Sequence, residues 1–341
     1  MEQVLMGMSG GVDSTYAALR LREMGYEVHG AVLKMHGYTE VAEATEAAKA
    51  LDVPLTVLDC EERFFKCVVT DFIKEYCHGR TPNPCIVCNE NVKFRVLYEE
   101  AIWRGIPHIA TGHYANVVFE DGRFAVSRAV DPAKDQSYML YRLPQDVLAM
   151  LLLPLGGITK SETTKEARRL RLRAAERAES QDICFVKGET YASYIERLCG
   201  KSTEGDFLDE NGRILGRHKG ILHYTVGQRK GLGISAAGRL FVKKIDAERN
   251  LIVLANKKVA DREFVIESPI FSGICDPEAL EKNENLMVQL RYTARPVGAR
   301  VLREGEGLRV FLKEEAPFVT PGQSAVFYTG NKVAFGGIVT V

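Results

Sequence analysis

The feature that most restricts the fold is a short string near the start of the chain. Val4-Leu5-Met6-Gly7-Met8 is an apolar run of strand type, Ser9-Gly10-Gly11-Val12-Asp13-Ser14 follows at once, and Ala17, Ala18, Leu21 and Met24 then recur at helical spacing. A strand that enters a helix through two glycines predicts the first unit of an α/β layer. Glycine lets the backbone turn tightly and approach a ligand, while free amides and the positive end of the helix dipole attract an anion. The string therefore marks a phosphate site. It is not a Walker loop, since no Gly-Lys-Ser/Thr follows, and it lacks the G-x-G-x-x-G spacing of a dinucleotide fingerprint.

Val28 to Leu33 reads as a second strand, Val41 to Leu51 as an Ala-rich helix and Pro54 to Leu58 as a third strand. This β-α-β-α-β order predicts a parallel sheet with helices on both faces and a ligand site at the carboxyl ends of the strands. Helices over 64–78 and 92–104, a Pro- and Cys-bearing loop over 79–91 and a strand over 106–111 carry the first domain, 1–155, to its end. Thr159 to Arg177 reads as a polar helix bearing Lys160, Lys165, Arg168, Arg169, Arg171, Arg173 and Arg177, within a small central domain, 156–205. Short strands separated by Gly, Asn and Asp fill 206–341 and predict a C-terminal β-barrel or sandwich.

Lys plus Arg and Asp plus Glu each number 45, so the average field attracts no polyanion. Nucleic-acid binding would need local basic stretches such as the helix after Thr159 or Arg229-Lys230 within His223 to Gly233. No apolar run approaches the ~18 residues of a membrane span, and the N-terminus lacks a cleavable signal pattern, which predicts a cytoplasmic chain with no membrane partner. The eight Cys then read as reduced thiols. Cys60, Cys67, Cys77, Cys199 and Cys275 suit small buried hydrophobes. Cys85 and Cys88, in Thr81-Pro82-Asn83-Pro84-Cys85-Ile86-Val87-Cys88-Asn89, sit in a proline-bounded segment with little core to bury them, and Lys93 and Arg95 are near enough in sequence to favour a thiolate. Cys184 follows a polar turn, Glu179 to Ile183.

The Ser9–Ser14 string resembles the PP-loop of the ATP pyrophosphatase superfamily, and Thr111-Gly112-His113-Tyr114 looks like a second nucleotide-contacting segment of one branch of it. With Thr81 to Phe94, Lys134 to Tyr138, Ser180 to Phe185, His223 to Gly233 and Thr320 to Tyr328, the chain is similar to the tRNA-specific 2-thiouridylases along its whole length. That resemblance implies an α/β PP-loop domain, a central tRNA-contacting domain and a C-terminal β-barrel. It implies replacement of the wobble uridine C2 oxygen by sulfur after adenylation by ATP, in tRNAs of the Lys, Glu and Gln type. A cysteine desulfurase or sulfur-relay protein would supply the sulfur.

Residue by residue, the family's nucleophile falls on Cys88, and the cysteine that receives persulfide sulfur falls on Cys184, the two then joining in a disulfide. Nucleotide contacts fall on Gly7, Met8, Ser9, Gly10, Gly11, Val12, Asp13, Ser14, Leu33 and Gly112, with Asp13 helping to hold Mg2+. Base contacts fall on Asn83, Pro84 and Cys85. Further tRNA contacts fall on Lys134, Asp135, Gln136, Arg291 and Tyr292. Two departures stand out. Position 85, commonly Asp in the family, is Cys, and the segment after Lys34 is short, running through His36-Gly37-Tyr38 without an acidic, aromatic insert.

Three other readings remain at this level. Thiolation could run through an iron-sulfur cluster on Cys85, Cys88 and Cys184, because thiolates favour such clusters. Another PP-loop ligase or amidotransferase would need only the Ser9–Ser14 string. A binding protein could hold a cluster or zinc on the same cysteines with Cys77 or His78, although one C-x-x-C pair is a weak metal signal.

Overall fold

The computed structural model describes residues 1–170, 172, 183–235, 238–256, 260–274, 280–281, 283–317 and 319–340. A five-stranded parallel sheet is built from β1 (Gln3–Gly7), β2 (Glu27–Lys34), β3 (Leu55–Asp59), β4 (His108–Ala110) and, after the hairpin β5 (Asn116–Glu120) and β6 (Arg123–Ser127), β7 (Leu151–Leu152). Its order is β3-β2-β1-β4-β7. The chain winds outward from β1 in both directions, so a crevice opens between the carboxyl ends of β1 and β4. Both neighbours of β1 are buried strands, and Val4, Leu5 and Met6 lose all exposure. That is why the first strand reads as a continuous apolar run rather than an alternating one.

The helices are α1 (Val12–Glu23), α2 (Val41–Ala50), α3 (Glu61–Phe64), α4 (Thr70–Cys77), α5 (Pro84–Cys88), α6 (Phe94–Arg104), α7 (Gln145–Met150), α8 (Lys160–Arg169) and α9 (Tyr191–Cys199). π-helical turns over Phe65–Val69 and Asn89–Lys93 join α3 to α4 and α5 to α6. The loop expected over 79–91 is therefore shorter. Asn83 caps α5 by accepting from the Cys85 amide at 3.2 Å, and Pro84 occupies the first helical position. That pairing starts a helix where the prolines alone read as loop. Of the polar helix expected over 159–177, α8 runs to Arg169; residues 171 and 173–182 lie outside the described ones. Thr159 and Glu162 close its start as a reciprocal capping box.

The strands expected after residue 205 divide between two sheets. β8 (Gly205–Leu208), β9 (Ile214–His218), β10 (Phe241–Asp246) and β11 (Leu251–Ala255) form a four-stranded sheet around Phe207, Val242 and Ile252. β12 (Ala260–Ile270), β13 (Leu286–Gln289), β14 (Val297–Glu304), β15 (Gly307–Pro317), β16 (Ser324–Thr329) and β17 (Lys332–Thr340) form an antiparallel barrel closed by β12 against β17. The β5–β6 hairpin of the first half adds to the barrel edge through Ser127 opposite Lys332. Its turn, Asp121-Gly122, has positive φ at both residues, the geometry that suits a tight hairpin. No helix among the described residues is long and apolar enough to cross a membrane.

Candidate active site

The glycine string forms the turn from β1 into α1. Gly10 has φ +79°, and a Cβ there would stand 2.6 Å from the Glu43 carbonyl carbon, so only glycine fits. Ser14 Oγ closes the loop by accepting from the Ser9 amide at 3.2 Å and donating to the Gly11 carbonyl at 3.1 Å. No side chain caps α1, which leaves its first-turn amides for an anion. Met8 is tied to β2 by its amide to the Ala31 carbonyl, and Leu33, near the end of β2, is half-buried above the same sheet edge. Gly112 follows β4 and presses against the loop. A Cβ there would lie 2.8 Å from the Ser14 amide nitrogen. The Gly7–Ser14 string, Leu33 and Gly112 thus share one edge of the crevice.

Asp13 projects from the first turn of α1 and takes two donors: the Tyr114 hydroxyl at 2.8 Å and the Lys160 ammonium at 2.6 and 2.8 Å. The sequence puts Lys160 on a basic helix suited to RNA and Tyr114 in a nucleotide-contacting segment, with no sign that both meet Asp13. The capping box at Thr159–Glu162 was the legible signal for where α8 begins, but nothing local shows that its first residue reaches α1. Beyond Lys160, a polar cleft of about 430 Å3 runs along α8, lined by Ser161, Thr164, Lys165 and Arg168.

Cys85 and Cys88 share the short helix α5, Cys85 exposed and Cys88 buried against Met35, with Sγ to Sδ 3.7 Å. Cys184, about a hundred residues later, is brought to the same place by its neighbour. Phe185 is buried and packs edge-on against Phe64 at 5.4 Å and Phe72 at 5.3 Å, in the cluster that also buries Cys88. Burial pushes the Cys88 thiol up to about 12; the Lys93 cation pulls it down, and Cys184 and Cys85 push it further up. The Cys184 thiol is also raised by desolvation, again with Lys93 opposing. Burial works against the Lys93 cation, and the sulfurs of Cys88, Cys85 and Cys184 favour it as they ionise. The π-turn over Asn89–Lys93 is what carries Lys93 to this point, an irregularity common at functional sites. Desolvation, then Lys93, hold His113 neutral with a pKa of about 3; it shares a 2.8 Å hydrogen bond with Thr111.

Asn83 Nδ2 and Asn89 Nδ2 both donate to Met139, the first to its sulfur and the second to its carbonyl. Asn89 is buried, and its Oδ1 has no protein partner. Among the expected tRNA contacts, Asp135 is buried and committed to Arg128 at 2.7 Å, to the Ala129 and Ser137 amides and to the Ser137 hydroxyl. Gln136 bonds Tyr114. The Arg291–Tyr292 segment adjoins this loop, because Gln289 accepts from Arg128 and donates to both carbonyls of the pair. Arg229 and Lys230 are exposed on the small sheet's side. Where the short segment after Lys34 passes, a cavity of about 340 Å3 opens between His36, Tyr38, Phe64, Phe185 and Arg197.

The seven described cysteines are free thiols, and among the described residues no three His, Cys, Asp or Glu side chains gather as a metal-binding group. ATP fits the Ser9–Ser14 loop, since the glycine turn, uncapped amides and two serine hydroxyls are donors suited to phosphates.

Comparison with known proteins places these parts in one lineage. Residues 2–188 match the family described as tRNA methyl transferase HUP domain, 192–256 its PRC-barrel domain, and 262–339 the aminomethyltransferase beta-barrel domain. The chain is 40% identical to the tRNA-specific 2-thiouridylase MnmA of Acetivibrio thermocellus over 99% of both chains. It is 39% identical to that of Leptospira biflexa over 99% of this chain and 93% of the other. Among solved structures, 58% of the chain matches 49% of a 4-thiouridine synthetase in an RNA complex with bound ATP, at 15% identity and TM-score 0.38.

Proposed function

The chain belongs to the tRNA-specific 2-thiouridylase family, and from that premise we propose how its own residues divide the work of ATP-dependent tRNA thiolation. Uridine O2 is a poor leaving group. Its attack on the ATP α-phosphate forms an O2-adenylate and releases pyrophosphate, after which AMP can leave. The Ser9–Ser14 loop holds the phosphates. Mg2+ would enter with ATP, Asp13 supplying one carboxylate beside the phosphate oxygens, as Mg2+ sites usually need, and would neutralise phosphate charge there.

The terminal sulfur of a Cys184 persulfide then attacks C2. Cys88 attacks the Cys184 sulfur, so the transferred sulfur leaves with the electron pair of the broken S–S bond. C2 keeps sulfur, AMP departs, and a Cys88–Cys184 disulfide remains for a cellular thiol reductant to open. Lys93 stabilises each thiolate as it forms. The donor is a cysteine desulfurase or relay protein that reaches Cys184 from its exposed side, and the RNA is a tRNA of the Lys, Glu or Gln type. Asn83, Pro84 and Cys85 line the base site, while Lys134 and Arg291 meet the backbone.

The observation that carries this reading is the Phe185 anchor, which holds the sequence-distant Cys184 next to the cluster that buries Cys88, near enough for the two thiols to act on each other. Nucleoside mass spectrometry of tRNA incubated with the protein, ATP, Mg2+ and a persulfide source tests it. The expected product is 2-thiouridine at the wobble position; ATP-independent or absent thiolation overturns it.

A further inference from the structure

We propose that the loop 131–137 is a positioning relay, coupling RNA engagement at Lys134 to the PP-loop carboxylate Asp13. The inference rests on the reading of Lys134 as an RNA contact. Asp13 is held by Tyr114 and Lys160, which come from elements distant in sequence. Both are anchored by the same loop. The Tyr114 peptide is bracketed by Gln136, whose side-chain oxygen accepts from the Tyr114 amide at 2.9 Å and whose own amide donates to the Tyr114 carbonyl at 2.8 Å. The Lys160 amide, the first of α8, donates to Asp131 Oδ2 at 2.9 Å, and the other Asp131 oxygen accepts from the Ala133 amide at 3.0 Å.

The far end of the loop is stiff. Asp135 binds Arg128, whose guanidinium lies 3.8 Å from the centre of the Tyr328 ring of β16 and also reaches Gln289 of β13. The Lys134 amide donates to the Asp131 carbonyl at 3.2 Å, so Lys134 stands between the two anchors. Movement at Lys134 cannot be absorbed within such a loop. It passes to Tyr114 through Gln136 and to Lys160 through Asp131. The element with two arrangements is the Lys160 ammonium, which rests on Asp13 here and has a competing anion once a polyphosphate enters the cradle. Shifting that balance from the loop makes RNA and nucleotide bind cooperatively, by the same factor in each direction.

The test uses the full chain, an α,β-methylene ATP analogue that cannot adenylate, and unmodified substrate tRNA. The readout is the ratio of analogue Kd without and with saturating tRNA, which a merely structural role would leave unchanged. In the wild type we expect tRNA to tighten the analogue by about fivefold or more. Tyr114→Phe removes one hydroxyl and should lower that ratio by at least about twofold, and Tyr114→Phe with Asp131→Ala should bring it to about one. A wild-type ratio of about one, or an unchanged ratio in Tyr114→Phe, overturns the relay; the single variant keeps the test decisive if the double variant does not fold. Lys134→Ala examines the underlying reading separately through tRNA affinity alone. Unchanged affinity there would remove the RNA contact, whereas lost affinity with intact coupling in Tyr114→Phe would remove only the relay.

Discussion

Neighbouring charge sorts the cysteines more sharply than burial or spacing does. Cys60 and Cys88 are both buried, with thiols pushed up to about 11 and about 12, but only Cys88 has a lysine ammonium and a second sulfur acting on it. Cys88→Ser and Cys184→Ser should each abolish 2-thiouridine formation, while Cys60→Ser should retain most of it, as nucleoside mass spectrometry would read. His113 offers a test by pH. Its pKa falls from 6.5 to about 3 on folding, so below about pH 6.5 the unfolded chain takes up a proton that the folded chain refuses. The stability His113 contributes is complete above that value and is lost as pH falls toward 3. His113→Gln should flatten the acid side of the stability curve, measured by urea unfolding between pH 7 and 4.

At the scale of elements, the short helix α5 holds two candidate site residues, Cys85 and Cys88, on a single turn and depends on its cap. Asn83→Ala should cost about 1 kcal/mol of stability and reduce thiolation as well, since Cys85 and Cys88 ride on the turn that frays. Gly112→Ala acts from the other side of the crevice. Its Cβ would meet the Ser14 amide nitrogen at 2.8 Å, a contact with backbone that no rotamer relieves. ATP-analogue affinity should fall at least tenfold, on the order of 1.4 kcal/mol, while tRNA affinity without nucleotide changes little. Loss of tRNA binding to the same degree would place the two ligands on one surface rather than two.

In the whole molecule, the barrel is built into the first half rather than hung from it. Val326, Tyr328 and Val333 share a core with Leu5, Phe94 and Leu148, and Tyr138 donates to the Ser324 carbonyl at 2.7 Å. A chain ending at residue 256 exposes that core and should aggregate or melt well below the intact protein, as calorimetry would show. The β5–β6 hairpin that makes this joint was not among the expected elements, although Asp121-Gly122 between two apolar runs is its local mark, and its partner strand lies two hundred residues away. The PP-loop and the parallel α/β layer that carries it were legible in sequence because each depends on local spacing: glycines between strand and helix, and apolar runs of strand length alternating with helical patterns. The division of the later strands between two sheets, the arrival of Lys160 and Tyr114 on Asp13, and the burial of Asp135 were decided only by the tertiary structure. Each depends on which surfaces meet across the chain, and a charge or hydroxyl carries no mark of its partner until packing removes the water it would otherwise face.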